Sequence, residues 1–147
     1  MAEADLEALF PRLRGAGYRI TSDRDVAYNC VAYCAPDQDR WWDPNRPDGF
    51  WPDDVERNDT IDGFIAMFRG QGFVECANDA VEPGYEKIAL YGNDRRDFGH
   101  VARQLPSGAW TSKLGELEDI EHQTLDAVVC DTYGEPVVFL RRPLRPA

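Results

Sequence analysis

The stretch that most limits what this chain can become is a hairpin. Phe98 to Leu105 and Ala109 to Lys113 read as two strands joined by Pro106-Ser107-Gly108. If those three residues are the loop, Leu105 pairs with Ala109, Gln104 with Trp110 and Ala102 with Ser112. Side chains alternate along a strand, so His100, Trp110 and Ser112 then share one face. A two-residue loop would turn Thr111 and Lys113 to that face instead. The chain has only two histidines, His100 and His122, so the register of this hairpin decides which polar groups can meet one of them.

The second informative stretch is Tyr28-Asn29-Cys30-Val31-Ala32-Tyr33-Cys34. Asn29 is a good helix N-cap and an apolar run follows it, which puts Cys30 in the first turn of a helix that Pro36 should stop. Unpaired backbone N–H groups and the helix dipole favour a thiolate there, the usual way a cysteine becomes a nucleophile at neutral pH. A Cys–His mechanism needs a base within hydrogen-bond reach of the sulfur and a third polar group to hold the ring. His100 is the expected base and Ser112 the expected orienting group, with Thr111, Asp119 or Glu121 as substitutes. The oxyanion hole would use the Cys30 backbone N–H and the Asn29 side chain. His122, inside what reads as an acidic helix, is expected to be a solvated surface residue or, failing that, an orienting group or alternative base.

Around these the chain falls into short elements. Leu6, Leu9, Phe10 and Leu13 keep helical spacing over Ala4 to Leu13, which Pro11 ends or kinks. Tyr18 to Thr21 is extended. Ile61, Phe64, Ile65 and Phe68 make the clearest helix, capped from Asn58-Asp59-Thr60 and stopped by Gly70 and Gly72. Phe73 to Ala77, Glu86 to Tyr91 and Val137 to Arg141 read as strands. Leu117 to Val129 reads as a helix with Ile120, Leu125 and Val128 inward, following a break at Gly115. Tyr133-Gly134-Glu135-Pro136 is a turn.

Residues 36 to 57 show no period and hold Trp41, Trp42 and Trp51 among prolines and acids. A loop of that length is functional or disordered, and tryptophans need somewhere to pack. Two expectations follow: a loop pinned over the core by its own Trp side chains, or an aromatic wall of Trp41, Trp42 and Trp51 that binds substrate beside Cys30.

Composition narrows the classes. Formal net charge is −11, from 27 acidic and 16 basic residues, a field that repels phosphate backbones and argues against nucleic acid. Arg141, Arg142 and Arg145 read as a solvated basic tail. No apolar run is long enough to span a bilayer, and the acidic N-terminus is unlike a signal peptide, so a cytoplasmic location and no membrane partner are expected. The four cysteines are expected to be free thiols. Zinc on Cys30, Cys34 and His100 or Cys76 would lack the usual C-x2-C spacing, so no metal and no cofactor is expected.

Tyr28-Asn29-Cys30-Val31-Ala32-Tyr33, Arg40-Trp41-Trp42-Asp43-Pro44, Glu82 to Tyr91, His100-Val101-Ala102-Arg103-Gln104-Leu105 and Trp110-Thr111-Ser112-Lys113-Leu114-Gly115 resemble an uncharacterised bacterial domain family, over about Tyr28 to Arg142. The order of Cys-helix, then Gly99-His100-Val101 on a strand, then a second strand, is more remotely similar to NlpC-type and CHAP amidases. That resemblance implies a papain-like fold with Cys30 as nucleophile, His100 as base and Ser112 as orienting residue. Ser112 stands where those families carry His, Asn, Gln or an acid.

The reading is therefore a single α+β domain over residues 1–147, papain-like, with the Cys helix packed on an antiparallel sheet of about four or five strands. The expected activity is a cysteine hydrolase or acyltransferase acting on a small-molecule, peptide or acyl substrate through an amide or thioester. The alternative is a non-catalytic, antitoxin-like or adaptor protein that holds a protein partner with the acidic Trp-rich loop 36–57.

Overall fold

Antiparallel strands, not helices, dominate the computed structural model, which describes residues 2–22, 28–34, 40–45, 49–114 and 117–144. In chain order the elements are α1 (Ala2–Leu9), β1 (Tyr18–Ser22), α2 (Cys30–Cys34), α3 (Ile61–Gly70), β2 (Val74–Cys76), β3 (Tyr85–Gly92), β4 (Phe98–Gln104), β5 (Trp110–Lys113), β6 (Asp119–His122) and β7 (Glu135–Pro143). Short 3-10 turns cover Pro11–Leu13 and Leu125–Val128. The strands form one seven-stranded sheet in the order β1-β6-β5-β4-β3-β7-β2, every pair antiparallel.

This overturns the papain-like α+β expectation of one helix on four or five strands. The largest error is the helix read over Leu117 to Val129. Asp119–His122 is instead a strand held on both sides, with Ile120 opposite Ile20 on β1 and Ser112 on β5, and His122 opposite Tyr18 and Trp110. Two ladders of cross-strand pairs outweigh the weak preference of these residues for helix. Leu125 and Val128 do point inward, from the 3-10 turn.

Where local signals were strong, the elements follow them. Thr60 caps α3, its hydroxyl accepting from Gly63 N at 3.2 Å, and Ile61, Phe64, Ile65 and Phe68 are buried. The hairpin register is the three-residue-loop one, with Gln104 opposite Trp110 and Arg103 opposite Thr111. Arg141 and Arg142 are no solvated tail. They lie in β7 and pair with Glu82 and Glu86, the Arg142 Nε reaching Glu86 Oε1 at 2.6 Å. Pro36, Gly115 and Arg145 lie outside the described residues, as do 35–39 and 46–48 of the long loop.

Each face of the sheet buries its own core. On one face Ile88, Leu90, Val101 and Leu140 pack against α2, α3, Trp42 and Trp51. On the other, Ala89, Tyr91, Ala102, Trp110 and Ile120 pack against Leu6, Phe10 and Leu13 and the Leu125–Val128 turn. Each large side chain so buried contributes roughly 1.5–3 kcal/mol.

Candidate functional site

The short helix α2 begins at Cys30 because Asn29 holds it there. Asn29 Oδ1 accepts from Ala32 N and from Trp42 N, each at 3.1 Å, and its Nδ2 donates to Trp42 O at 2.9 Å. The side chain is thus an N-cap and a clamp on the Trp42 backbone at once. Trp42 O engages one of the two N–H donors that the Asn29 amide carries.

Pairing between β4 and β5 is confined to two residue pairs at the hairpin end. Beyond them, where Val101 would meet β5, the two thiols of α2 take over its peptide groups. Cys34 Sγ donates to Val101 O at 3.9 Å, and the Val101 backbone is also a partner of the Cys30 thiol. Cys30 is half-buried and packs against the core on the α2 face of the sheet, where β4 and β5 part.

Burial pushes the Cys30 thiol up to about 11, against backbone donors at Val101, Val31 and Cys30 and the Lys113 ammonium, all of which favour the thiolate. The helix-terminal effect expected from sequence has the right sign, but desolvation outweighs it. The resting thiol is neutral.

A chain of hydrogen bonds lies on the other side of this parting. His100 Nε2 and Ser112 Oγ are 3.0 Å apart, Ser112 Oγ and His122 Nε2 2.8 Å, and His122 Nδ1 and Thr124 O 2.8 Å. His100, Ser112 and His122 are fully buried. Proton positions follow from the far end. The Thr124 carbonyl can only accept, so His122 carries its proton on Nδ1 and accepts on Nε2 from the Ser112 hydroxyl. Ser112 then accepts from His100, whose proton is on Nε2. His100 Nδ1 is left as a bare lone pair, and this buried atom has no hydrogen-bond partner. Burial, and the neighbouring His122, hold His100 well below the usual histidine range. Burial also lowers His122.

Ser112 thus stands against the His100 ring, and His122 comes to it as well. The surface histidine expected at 122 is instead the second link of this relay. Of the substitutes for Ser112, Thr111 and Glu121 face each other on the opposite side of the sheet, and Asp119 Oδ2 accepts from Tyr28 at 2.9 Å. Cys30 Sγ and His100 Nδ1 make no hydrogen bond to each other in this state.

Two residues at the site carried no readable signal in the sequence. Lys113 is fully buried beside α2, its Nζ 5.3 Å from the Tyr28 ring centroid. Tyr133 stacks on His100 with centroids 4.2 Å apart and planes 3° from parallel. That stack exists because the 130–134 turn lies flat on β4 at Gly99, where a Cβ would collide with the Tyr133 carbonyl. The only hint was a pair of glycines, Gly99 and Gly134, on segments far apart in sequence.

The tryptophans take the structural role. Trp42 and Trp51 are 5% and 3% exposed. Trp42 packs on Phe50 at 4.6 Å, and Trp51 edges onto Phe64 at 5.1 Å. Neither has a face left for a substrate, which corrects their part in the expected aromatic wall; Trp41 is half-buried. All four cysteines are free thiols. Among the described residues no three His, Cys, Asp or Glu side chains converge on a metal site, and no helix is long and apolar enough to cross a membrane.

Residues 19–141 match the family described as Domain of unknown function (DUF7689). The chain belongs to that family. The match takes in α2, the hairpin, β6 and the Tyr133 turn, so every residue of the site lies within it. No curated protein and no solved structure matches the chain.

Proposed function

We propose that the chain is a cysteine hydrolase or acyltransferase in which Cys30 attacks an amide, peptide or thioester carbonyl and His100 is the base. The observation that supports this reading is the bare Nδ1 of His100. A buried lone pair without a partner is costly, roughly 1–3 kcal/mol, and such atoms call for a reason. Here the relay through Ser112 and His122 fixes the one tautomer in which Nδ1 can accept a proton.

The neutral pair sets the order of events. The resting thiol turns its S–H to His100 Nδ1, which takes the proton as sulfur bonds to the carbonyl carbon. The carbonyl oxygen gathers the negative charge. Collapse breaks the bond to the leaving group, which departs with the proton from His100, and a thioester remains on Cys30. Water or an acceptor then attacks the thioester, giving its proton to His100 and restoring the thiol.

The test uses p-nitrophenyl acetate as a simple acyl donor, with the Cys30 peptide followed by mass spectrometry. Wild-type protein acetylates at Cys30, and His100→Ala, verified as folded by near-ultraviolet circular dichroism, is slower by about 10²-fold or more. Absence of acetyl-Cys30 in the wild type, or equal rates in the two proteins, sinks the reading.

A further inference from the structure

Cys30 and Cys34 stand at the two ends of α2, one helical turn apart, and both are free thiols. We infer that together they form a two-thiolate site for a soft monovalent cation, copper(I). The site does not depend on the acyl-transfer reading.

Residues four apart on a helix project from the same side, with their Cβ atoms roughly 5–6 Å apart. Here that side is turned to the sheet. Cys34 is buried in the core beneath α2, and Cys30 packs against the same core. Both thiols meet the Val101 peptide, Cys34 Sγ donating to its carbonyl at 3.9 Å. The two sulfurs thus converge on one backbone unit of β4. Their spacing decides what can join them. A disulfide needs Cβ atoms about 3.5–4.5 Å apart, which α2 reaches only by unwinding. A metal between the sulfurs adds two metal–sulfur bonds of about 2.3 Å each, and spans the gap with the turn intact.

The donor set then selects the metal. Thiolate is a soft ligand that favours copper(I), zinc and iron–sulfur clusters. Structural zinc takes four ligands, and the common iron–sulfur clusters take four cysteines. Among the described residues no third His, Cys, Asp or Glu joins the pair. Copper(I) is content with two thiolates in a near-linear arrangement, so the C-x3-C spacing that is wrong for a zinc knuckle suits it. On binding, both S–H protons leave to solvent and the cation takes their place, which leaves one net negative charge. Two cations face that charge. Lys113 is fully buried on β5 beside α2 and acts on Cys30. Arg103, two residues beyond Val101 on the same face of β4, acts on Cys34. Glu86, which opposes it there, is held by Arg142. Half-buried Cys30 gives the ion its way in, and Cys34, 1% exposed, keeps its far side from water.

The test titrates the reduced protein anaerobically with copper(I) held by bicinchoninate, whose colour reports the metal it gives up. Wild type and Cys76→Ser/Cys130→Ser should each take one copper(I) per chain. Cys30→Ser and Cys34→Ser should each bind it about 10²-fold more weakly or worse, because the second thiolate on the same turn no longer supplies its effective concentration. In wild type, one equivalent of copper(I) should also protect Cys30 from iodoacetamide and leave Cys76 and Cys130 to react, a readout that needs no variant. Undiminished binding by Cys34→Ser, loss of binding in Cys76→Ser/Cys130→Ser, or protection of Cys76 and Cys130 in place of Cys30 would overturn the assignment. So would a wild type that leaves all the copper(I) with the chelator. Failure of Cys30 to acetylate would remove the proposed reaction and leave the metal site standing.

Discussion

Ser112→Ala is expected to lower the stability of the protein by about 2–5 kcal/mol, a large effect for the loss of one oxygen atom. The hydroxyl serves two buried rings at once, accepting from His100 Nε2 at 3.0 Å and donating to His122 Nε2 at 2.8 Å. Alanine leaves a donor on one ring and an acceptor on the other, both away from water. Each stranded group costs roughly 1–3 kcal/mol. The same change frees the His100 tautomer, because nothing then demands a proton on Nε2, so Cys30 acetylation should fall with it. Urea unfolding at neutral pH checks the stability term. A shift under about 0.5 kcal/mol, the size of an ordinary surface substitution, would mean that the relay is not the fixed network described above.

Acid is expected to destabilise the protein well before its carboxylates titrate. His100 and His122 both bind protons less readily folded than unfolded, mainly because each ring is buried. The rings facing His100 are those of Tyr91, at 5.3 Å, and Tyr133, neither of which compensates a positive charge. Above the ordinary histidine pKa of about 6.5 the effect is absent. As pH falls below it the unfolded chain takes up protons that the folded one refuses, and stability drops until the folded pKa values are reached. The slope is up to about 1.4 kcal/mol per pH unit for each histidine. Asp59, raised by burial, works in the opposite direction, in the lower pH range where carboxylates titrate. The urea midpoint should therefore fall steadily from pH 6.5 to 5.5, and a midpoint that stays flat over that interval contradicts the buried neutral pair.

How far the sequence could be read depended on whether local signals agreed with long-range ones. The hairpin was legible because Pro106-Ser107-Gly108 fixes a register and alternation does the rest, and that register alone brings Ser112 to His100. The Asn29 cap was legible for the same reason, since capping is local. The segment around Ile120 was not. Its apolar spacing and acidic residues suit a helix, and only the partners on β1 and β5 make it a strand; Ile120 meets Ser112 eight residues away on one side and Ile20 a hundred residues away on the other. That single error hid His122, moved it from core to surface in the reading, and concealed the relay. It also cost the fold, because β6 is what carries β1 into a seven-stranded sheet.

Cys30 illustrates a subtler gap. The backbone donors around it do favour the thiolate, as a helix start predicts, yet a sequence does not state how much solvent a site retains. Desolvation decides the sign, and the thiol rests protonated. A standing thiolate–imidazolium pair gives way to two neutral groups, which makes the direction of the His100 lone pair the feature on which the proposed chemistry turns. The long loop shows the same dependence on burial: Trp42 and Trp51 could line a cleft or fill a core, and they fill the core.

The measurement that tests the account most directly is the tautomeric state of the two histidines, read from ring 15N shifts and one-bond couplings in 15N-histidine-labelled protein near pH 7.5. Both rings are predicted neutral, with His122 protonated on Nδ1, His100 protonated on Nε2, and His100 Nδ1 bare. A proton on His100 Nδ1, or a charged His100 at that pH, would contradict the relay and leave Cys30 without the base assigned to it.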